Sequence, residues 1–241
     1  MAWFFSENEI TSGTYLMEGE NAKHLKVLRA REGEAVTIVT PAGIQCEGEV
    51  ASVSPDGAEI RIHSQRPCEN EPDVFVTLYQ ALPKGDKMDY IVQKCVELGV
   101  GRIVPVMTAR CVSRPDEKSL KKKTARWRKI AAQAAMQSRR GIIPEVGECV
   151  SLKQAAMLTR ENDKTVFFYE LGGESVKDIL AEKPKTVGMF IGSEGGFEEA
   201  EAELVLSNGG VAATLGKRIL RAETAPLAAL SIIMYQTNNF S

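Results

Sequence analysis

The chain has 241 residues, 44% of them hydrophobic and 26% charged, with a formal net charge of −2. That composition provides for a packed core, in one large domain or two small ones, and excludes a largely disordered chain. No run of about 18 apolar residues is present, so no transmembrane helix is expected. The start, Met1-Ala2-Trp3-Phe4-Phe5-Ser6-Glu7, has no basic leader, and a cytoplasmic protein is the simplest expectation.

In chain order, residues 1–70 read as a small β-rich unit. Strands are expected over 35–40, 45–53 and 58–63, separated by Pro41-Ala42-Gly43 and Ser54-Pro55-Asp56-Gly57 turns. Alternation in Cys46-Glu47-Gly48-Glu49-Val50 gives the middle strand one wet face. Residues 66–72, with two prolines in a polar setting, form the candidate linker. Beyond it the pattern changes. Residues 74–79 are a continuous apolar run of the buried-strand type. Met88, Ile91, Val92, Cys95 and Leu98 recur at helical spacing until Gly99. A strand over 103–106 contains Pro105, which implies an edge or an irregularity. A basic helix follows, then strands at 165–169 and 187–191, a helix at 198–206, a strand at 211–215 and a last helix at 225–235. Strands alternating with helices imply an α/β domain with a mainly parallel sheet, here over 73–241.

The small net charge conceals an uneven distribution. Residues 102–140 carry a net +10, whereas 1–72 carry −6 and 141–241 carry −5. The centre of the basic block, Lys121-Lys122-Lys123-Thr124-Ala125-Arg126, is nearly all of one sign, so salt bridges one turn apart do not account for it. Phosphate binding is favoured over a merely solvated helical face. Five cysteines, widely spaced and without a C-x-x-C pair, stand beside only two histidines. No metal site is expected, and the cysteines read as free thiols.

Two loops sit where an open α/β sheet places its ligands, just past strand ends. The first is Ile191-Gly192-Ser193-Glu194-Gly195-Gly196-Phe197, whose glycines permit close backbone approach. It lacks the Gly-Lys-Ser/Thr ending of a phosphate loop, which disfavours a nucleotide-dependent enzyme. The second is Leu215-Gly216-Lys217-Arg218-Ile219-Leu220-Arg221-Ala222-Glu223-Thr224-Ala225-Pro226. It is either a long surface connection with Thr224 capping the next helix, or a ligand loop in which Ile219 and Leu220 cover a flat aromatic group.

Together these loops resemble the RsmE family of knotted, SPOUT-class RNA methyltransferases. Further matches are His24-Leu25-Lys26-Val27-Leu28-Arg29, Lys84-Gly85-Asp86-Lys87-Met88-Asp89, residues 93–100 and Ala135-Met136-Gln137-Ser138-Arg139-Arg140. The chain departs from the family pattern at Ser193 (usually proline), Ala222 (usually threonine) and Met136 (usually an acid). The resemblance implies a PUA-like β-barrel over 1–70 and a trefoil-knotted domain over 73–241. It implies a homodimer that uses S-adenosylmethionine to methylate uridine N3 in small-subunit (16S) ribosomal RNA. The cofactor residues it points to are Glu170 and Leu171; Ile191, Gly192, Glu194, Gly195 and Gly196; and Leu215, Gly216, Ile219, Leu220, Arg221, Thr224 and Ala225. Arg221 or Arg218 would stabilise charge on the uracil, and Glu223 or Glu194 would serve as base. His24, Arg29, Lys121, Lys122, Lys123, Arg126, Arg139 and Arg140 would meet RNA. The competing reading is an RNA-binding ribosome-assembly module that keeps the fold without catalysis.

Overall fold

The computed structural model describes residues 2–11 and 13–240; Met1, Ser12 and Ser241, which fall within the expected domain limits, lie outside the described residues. The chain divides into two compact units. The first comprises Met1–Glu71 and Ala135–Ile143, and the second Pro72–Ala134 and Pro144–Ser241.

The first unit is built on a five-stranded sheet in the order β1-β3-β4-β5-β2. Its strands are β1 (Ala2–Phe5), β2 (Thr14–Met17), β3 (Ala35–Val39), β4 (Ile44–Val53) and β5 (Ala58–Pro67). β1 runs parallel to β3, and the other pairs are antiparallel. The register shifts at Glu47/Gly48 and Val50/Ser52, bulges that bend a long hairpin. Phe4, Met17, Ile38, Cys46 and Ile60 fill the core, covered by Leu25 of helix α1 (Gly19–Val27). The strand expected to end at His63 continues to Pro67, so the candidate linker begins as sheet.

Residues 135–143 join this unit from far along the chain. Arg140 is buried, and its Nε and Nη2 meet Glu71 Oε1 and Oε2 at 2.8 and 2.6 Å. Trp3 Nε1 donates to the Arg140 carbonyl at 3.0 Å, and Asn70 donates to that of Arg139 at 2.7 Å. Met136 packs against the apolar core, which accounts for a thioether where the family pattern has an acid.

The second unit holds a parallel seven-stranded sheet in the order β12-β10-β11-β6-β7-β8, with β9 also on β7. Its main strands are β6 (Phe75–Ala81), β7 (Arg102–Met107), β10 (Lys164–Phe168), β11 (Thr186–Ile191) and β12 (Gly210–Ala213). Pro105 is no edge residue, but it marks an irregularity. β8 (Glu145–Val146) pairs with Arg102 and Ile103, β9 (Val150–Ser151) pairs with Val106 and Met107, and Pro105 falls between the two short ladders. A residue without an N–H is tolerated there. The helices are α2 (Lys87–Glu97), α3 (Glu117–Gln137), α4 (Leu152–Met157), α5 (Val176–Ile179), α6 (Glu199–Ser207) and α7 (Ala225–Gln236). The last three residues of α3 belong to the first unit.

The strand order positions the site. β11 and β12, the next two strands in sequence, flank β10 on either side, so the chain crosses over β10 between them. The loops after β10, β11 and β12 therefore leave the same end of the sheet side by side, at a switch point of the kind where open α/β sheets bind ligands.

Candidate functional site

Those three loops enclose a cavity of about 850 Å³. Of the expected cofactor residues, all but Thr224 line it. Thr224 precedes α7 at the capping position, but its side chain makes no capping bond.

The loop after β11 is a tight turn, closed by Gly196 N–H donating to Ser193 O at 3.0 Å. Gly196 has φ +67°, and a Cβ there would lie 2.5 Å from Glu170 Oε1. A Cβ on Gly195 would lie 3.0 Å from Arg110 Cβ, and one on Gly192 would lie 3.2 Å from Gly196 Cα. At Gly196 the left-handed backbone itself favours glycine, whereas at Gly192 and Gly195 a side chain would make the neighbours give by a few tenths of an ångström. Phe197 anchors the far side of the turn, with its ring 4.7 Å from that of Phe167. Segment 108–114, after β7, braces the outside. Arg110 Nη1 donates to Gly195 O at 3.1 Å, and Ser193 Oγ to Arg110 O at 3.4 Å. Serine in place of the usual proline therefore keeps the turn and adds a bond.

The loop after β12 starts earlier than expected. β12 ends at Ala213, and Leu215 stands on the cavity wall rather than in a strand. Ile219 is 83% exposed and Leu171 79% exposed at this wall, an apolar surface that a ligand would cover.

Lys87, the first residue of α2, also lines the cavity and was not expected as a site residue. Its Nζ lies 2.9 Å from Glu194 Oε1 and 3.0 Å from Glu223 Oε2. These bonds, that to Glu194 first, push the lysine above its ordinary pKa. Burial opposes the charge of Glu194, but Lys87 and the backbone N–H groups of Glu194 and Lys84 outweigh it and hold the carboxyl below its usual range. Glu223 is lowered by the Lys87 bond, by its own backbone N–H and by the charge of Arg221. Both carboxylates are thus held ionised beside an ammonium, which weakens either of them as a base. Glu223 also stands outside the cavity lining. The motif Lys84-Gly85-Asp86-Lys87 was the sequence signal for Lys87, but it named no role.

The basic residues are placed unevenly. Lys121 and Lys122 are exposed on α3, Lys123 is half-buried, and Trp127, Ala131 and Ala134 form the buried face. Lys121 pairs with Glu117 at 2.7 Å, and Arg126 pairs with Asp89. Trp127 Nε1 donates to the same Asp89 at 3.0 Å, so the middle of α3 is fixed to the first turn of α2, two residues from Lys87. In the first unit, His24 and Arg29 are exposed at the end of α1, and Arg139 is exposed. Arg140 is not available to RNA. It is 3% exposed and paired through two nitrogens with Glu71, a structural clamp rather than a phosphate contact.

Residues 70–234 match the model of an RNA methyltransferase domain, and residues 18–62 that of an RNA methyltransferase PUA domain. Ribosomal RNA small subunit methyltransferase E of Bacillus subtilis is 38% identical over 232 residues, covering 93% of this chain and 91% of the relative. The chain belongs to the ribosomal RNA small subunit methyltransferase E family. The Aquifex aeolicus member is 33% identical over 96% of this chain and 98% of its own. The crystal structure of the Neisseria gonorrhoeae member bound to S-adenosylmethionine superposes with a TM-score of 0.89 at 33% identity, over 98% of this chain and 97% of that one. Among the described residues of this family member, no helix is long and apolar enough to cross a membrane, and no cluster of His, Cys, Asp or Glu suits a metal ion.

Proposed function

We propose that this protein transfers a methyl group from S-adenosylmethionine to N3 of a uridine in small-subunit ribosomal RNA. The observation that carries the reading is the cavity at the strand switch point, walled by the two glycine-bearing loops. Its size lies within the range of small-molecule sites, and its mixture of glycine backbone and apolar side chains fits an adenosyl group. When bound, S-adenosylmethionine supplies an electrophilic methyl group on a positively charged sulfur. Backbone groups of residues 192–196 and 214–216 would hold the cofactor's polar edges, with Leu215, Ile219 and Leu220 against its flat face. Uracil N3 has no free lone pair until its proton leaves, and the resulting charge spreads to the two carbonyl oxygens. Arg221, which lines the cavity, would stabilise that charge, or Arg218 on the same wall.

RNA would be held by phosphate contacts of α3, through Lys121, Lys122, Lys123 and Arg126, and by His24, Arg29 and Arg139 of the first unit. We assign residues 1–70 as a PUA-like RNA-binding domain and 73–241 as a SPOUT-type domain with a trefoil knot, acting in the cytoplasm. α7 is apolar on nearly all sides, with Ile232 and Tyr235 exposed, which supports a homodimer measurable by sedimentation equilibrium. Mapping of methylated nucleosides in ribosomal RNA from cells lacking the protein tests the function. Loss of one N3-methyluridine is expected. An unchanged nucleoside map, with no S-adenosylmethionine binding in calorimetry, would favour a non-catalytic assembly factor.

A further inference from the structure

We infer that Lys87 is a positioning residue, a latch in which one ammonium joins a carboxylate from each of the two main loops of the cavity. The inference rests on the cofactor reading of that cavity. Glu194 belongs to the loop after β11 and Glu223 to the loop after β12, and both reach Lys87 Nζ, at 2.9 and 3.0 Å. Glu194 is fixed a second time by the backbone N–H of Lys84, 3.2 Å from Oε1. The loops after β6, β11 and β12 are thereby joined at one point.

The loop after β12 depends most on this point. Its described hydrogen bonds stay local, between Thr214 and Gly216 and from Thr224 and Ala225 to the Arg221 carbonyl. The Lys87–Glu223 pair is its described polar tie to another segment. The three side chains are only 20–34% exposed, so solvent screens them less than it screens pairs on an open surface. Without the ammonium, two carboxylates that shared one cation would face each other, and the loops would part. Lys87 thus sets the width of the cavity mouth while its own stem forms part of the wall.

The test uses the full chain and two readouts, hydrogen exchange without cofactor and calorimetry with S-adenosylmethionine. Lys87→Met keeps the stem and removes the charge. It is expected to speed exchange in both 192–197 and 214–224, and to weaken cofactor binding by about fivefold, the scale of one partly exposed ion pair. Lys87→Arg should keep both properties. Adding Glu223→Gln to Lys87→Met removes the repulsion and should recover most of the loss, which a merely structural lysine would not permit. Unchanged exchange in 214–224 for both Lys87→Met and Glu223→Gln, or a double variant no better than Lys87→Met, overturns the latch. A parent protein that fails to bind S-adenosylmethionine would instead overturn the cofactor reading, while the exchange data would still decide the latch.

Discussion

Glu170 Oε1 lies 2.5 Å from the point where a side chain on Gly196 would begin. Glu170 stands in the turn two residues past the end of β10 and Gly196 in the turn after β11, so two walls of the cavity meet where the backbone is barest. The positive φ of Gly196 adds conformational demand to the lack of space.

Gly196→Val is therefore expected to abolish measurable S-adenosylmethionine binding in calorimetry. Forcing an L-residue into that conformation costs about 1–2 kcal/mol, so the melting temperature should fall by roughly 2–8 °C without loss of the fold. Parent-like cofactor affinity in the variant would remove this turn from the cofactor site.

Arg221→Ala separates binding from chemistry. Arg221 lines the cavity and lowers Glu223 electrostatically, while Lys87 forms the ion pair with that carboxylate. Single-turnover methylation should slow by about 10²–10³, the usual effect of losing one charge-stabilising donor, with cofactor affinity nearly intact. Equal losses in affinity and rate would make Arg221 a binding residue.

Much of the second unit was legible because buried parallel strands read as apolar runs: β6, β10 and β11 fall within a residue or two of their expected limits. The glycine loops were legible for a related reason, since close approach demands glycine wherever it occurs. The N-terminal β1 and β2 were not, being four residues each with no periodicity to count. Nor was the attachment of 135–143 to the first unit, which depends on Glu71 and Arg140 meeting across 69 residues. Lys87 stands out in the sequence only as part of a motif. Its role exists once folding brings residues 87, 194 and 223 together.

The basic helix should bind phosphates without reading sequence. Replacing Lys122 and Lys123 by Ala should weaken RNA binding across sequences and flatten the log–log salt dependence by about 0.7–0.9 per lost contact. Lys121→Ala should have a smaller effect because Glu117 already pairs with that lysine. An unchanged slope would make this a solvated face.

Arg140→Ala should behave differently from these lysine variants. It removes a 4%-exposed guanidinium from a carboxylate that is 25% exposed, and the first unit should lose about 2–3 kcal/mol in urea unfolding, less than for a fully buried pair. The salt slope of RNA binding should not move. A changed slope with unchanged stability would return Arg140 to the RNA contacts.

The most direct measurement uses purified protein, S-adenosylmethionine carrying a labelled methyl group and small-subunit ribosomal RNA, followed by digestion and mass analysis of the nucleosides. The account predicts label in N3-methyluridine at a single position, absent with Gly196→Val and slowed with Arg221→Ala. Label on a ribose hydroxyl or on another base, or no label despite cofactor binding, would contradict it.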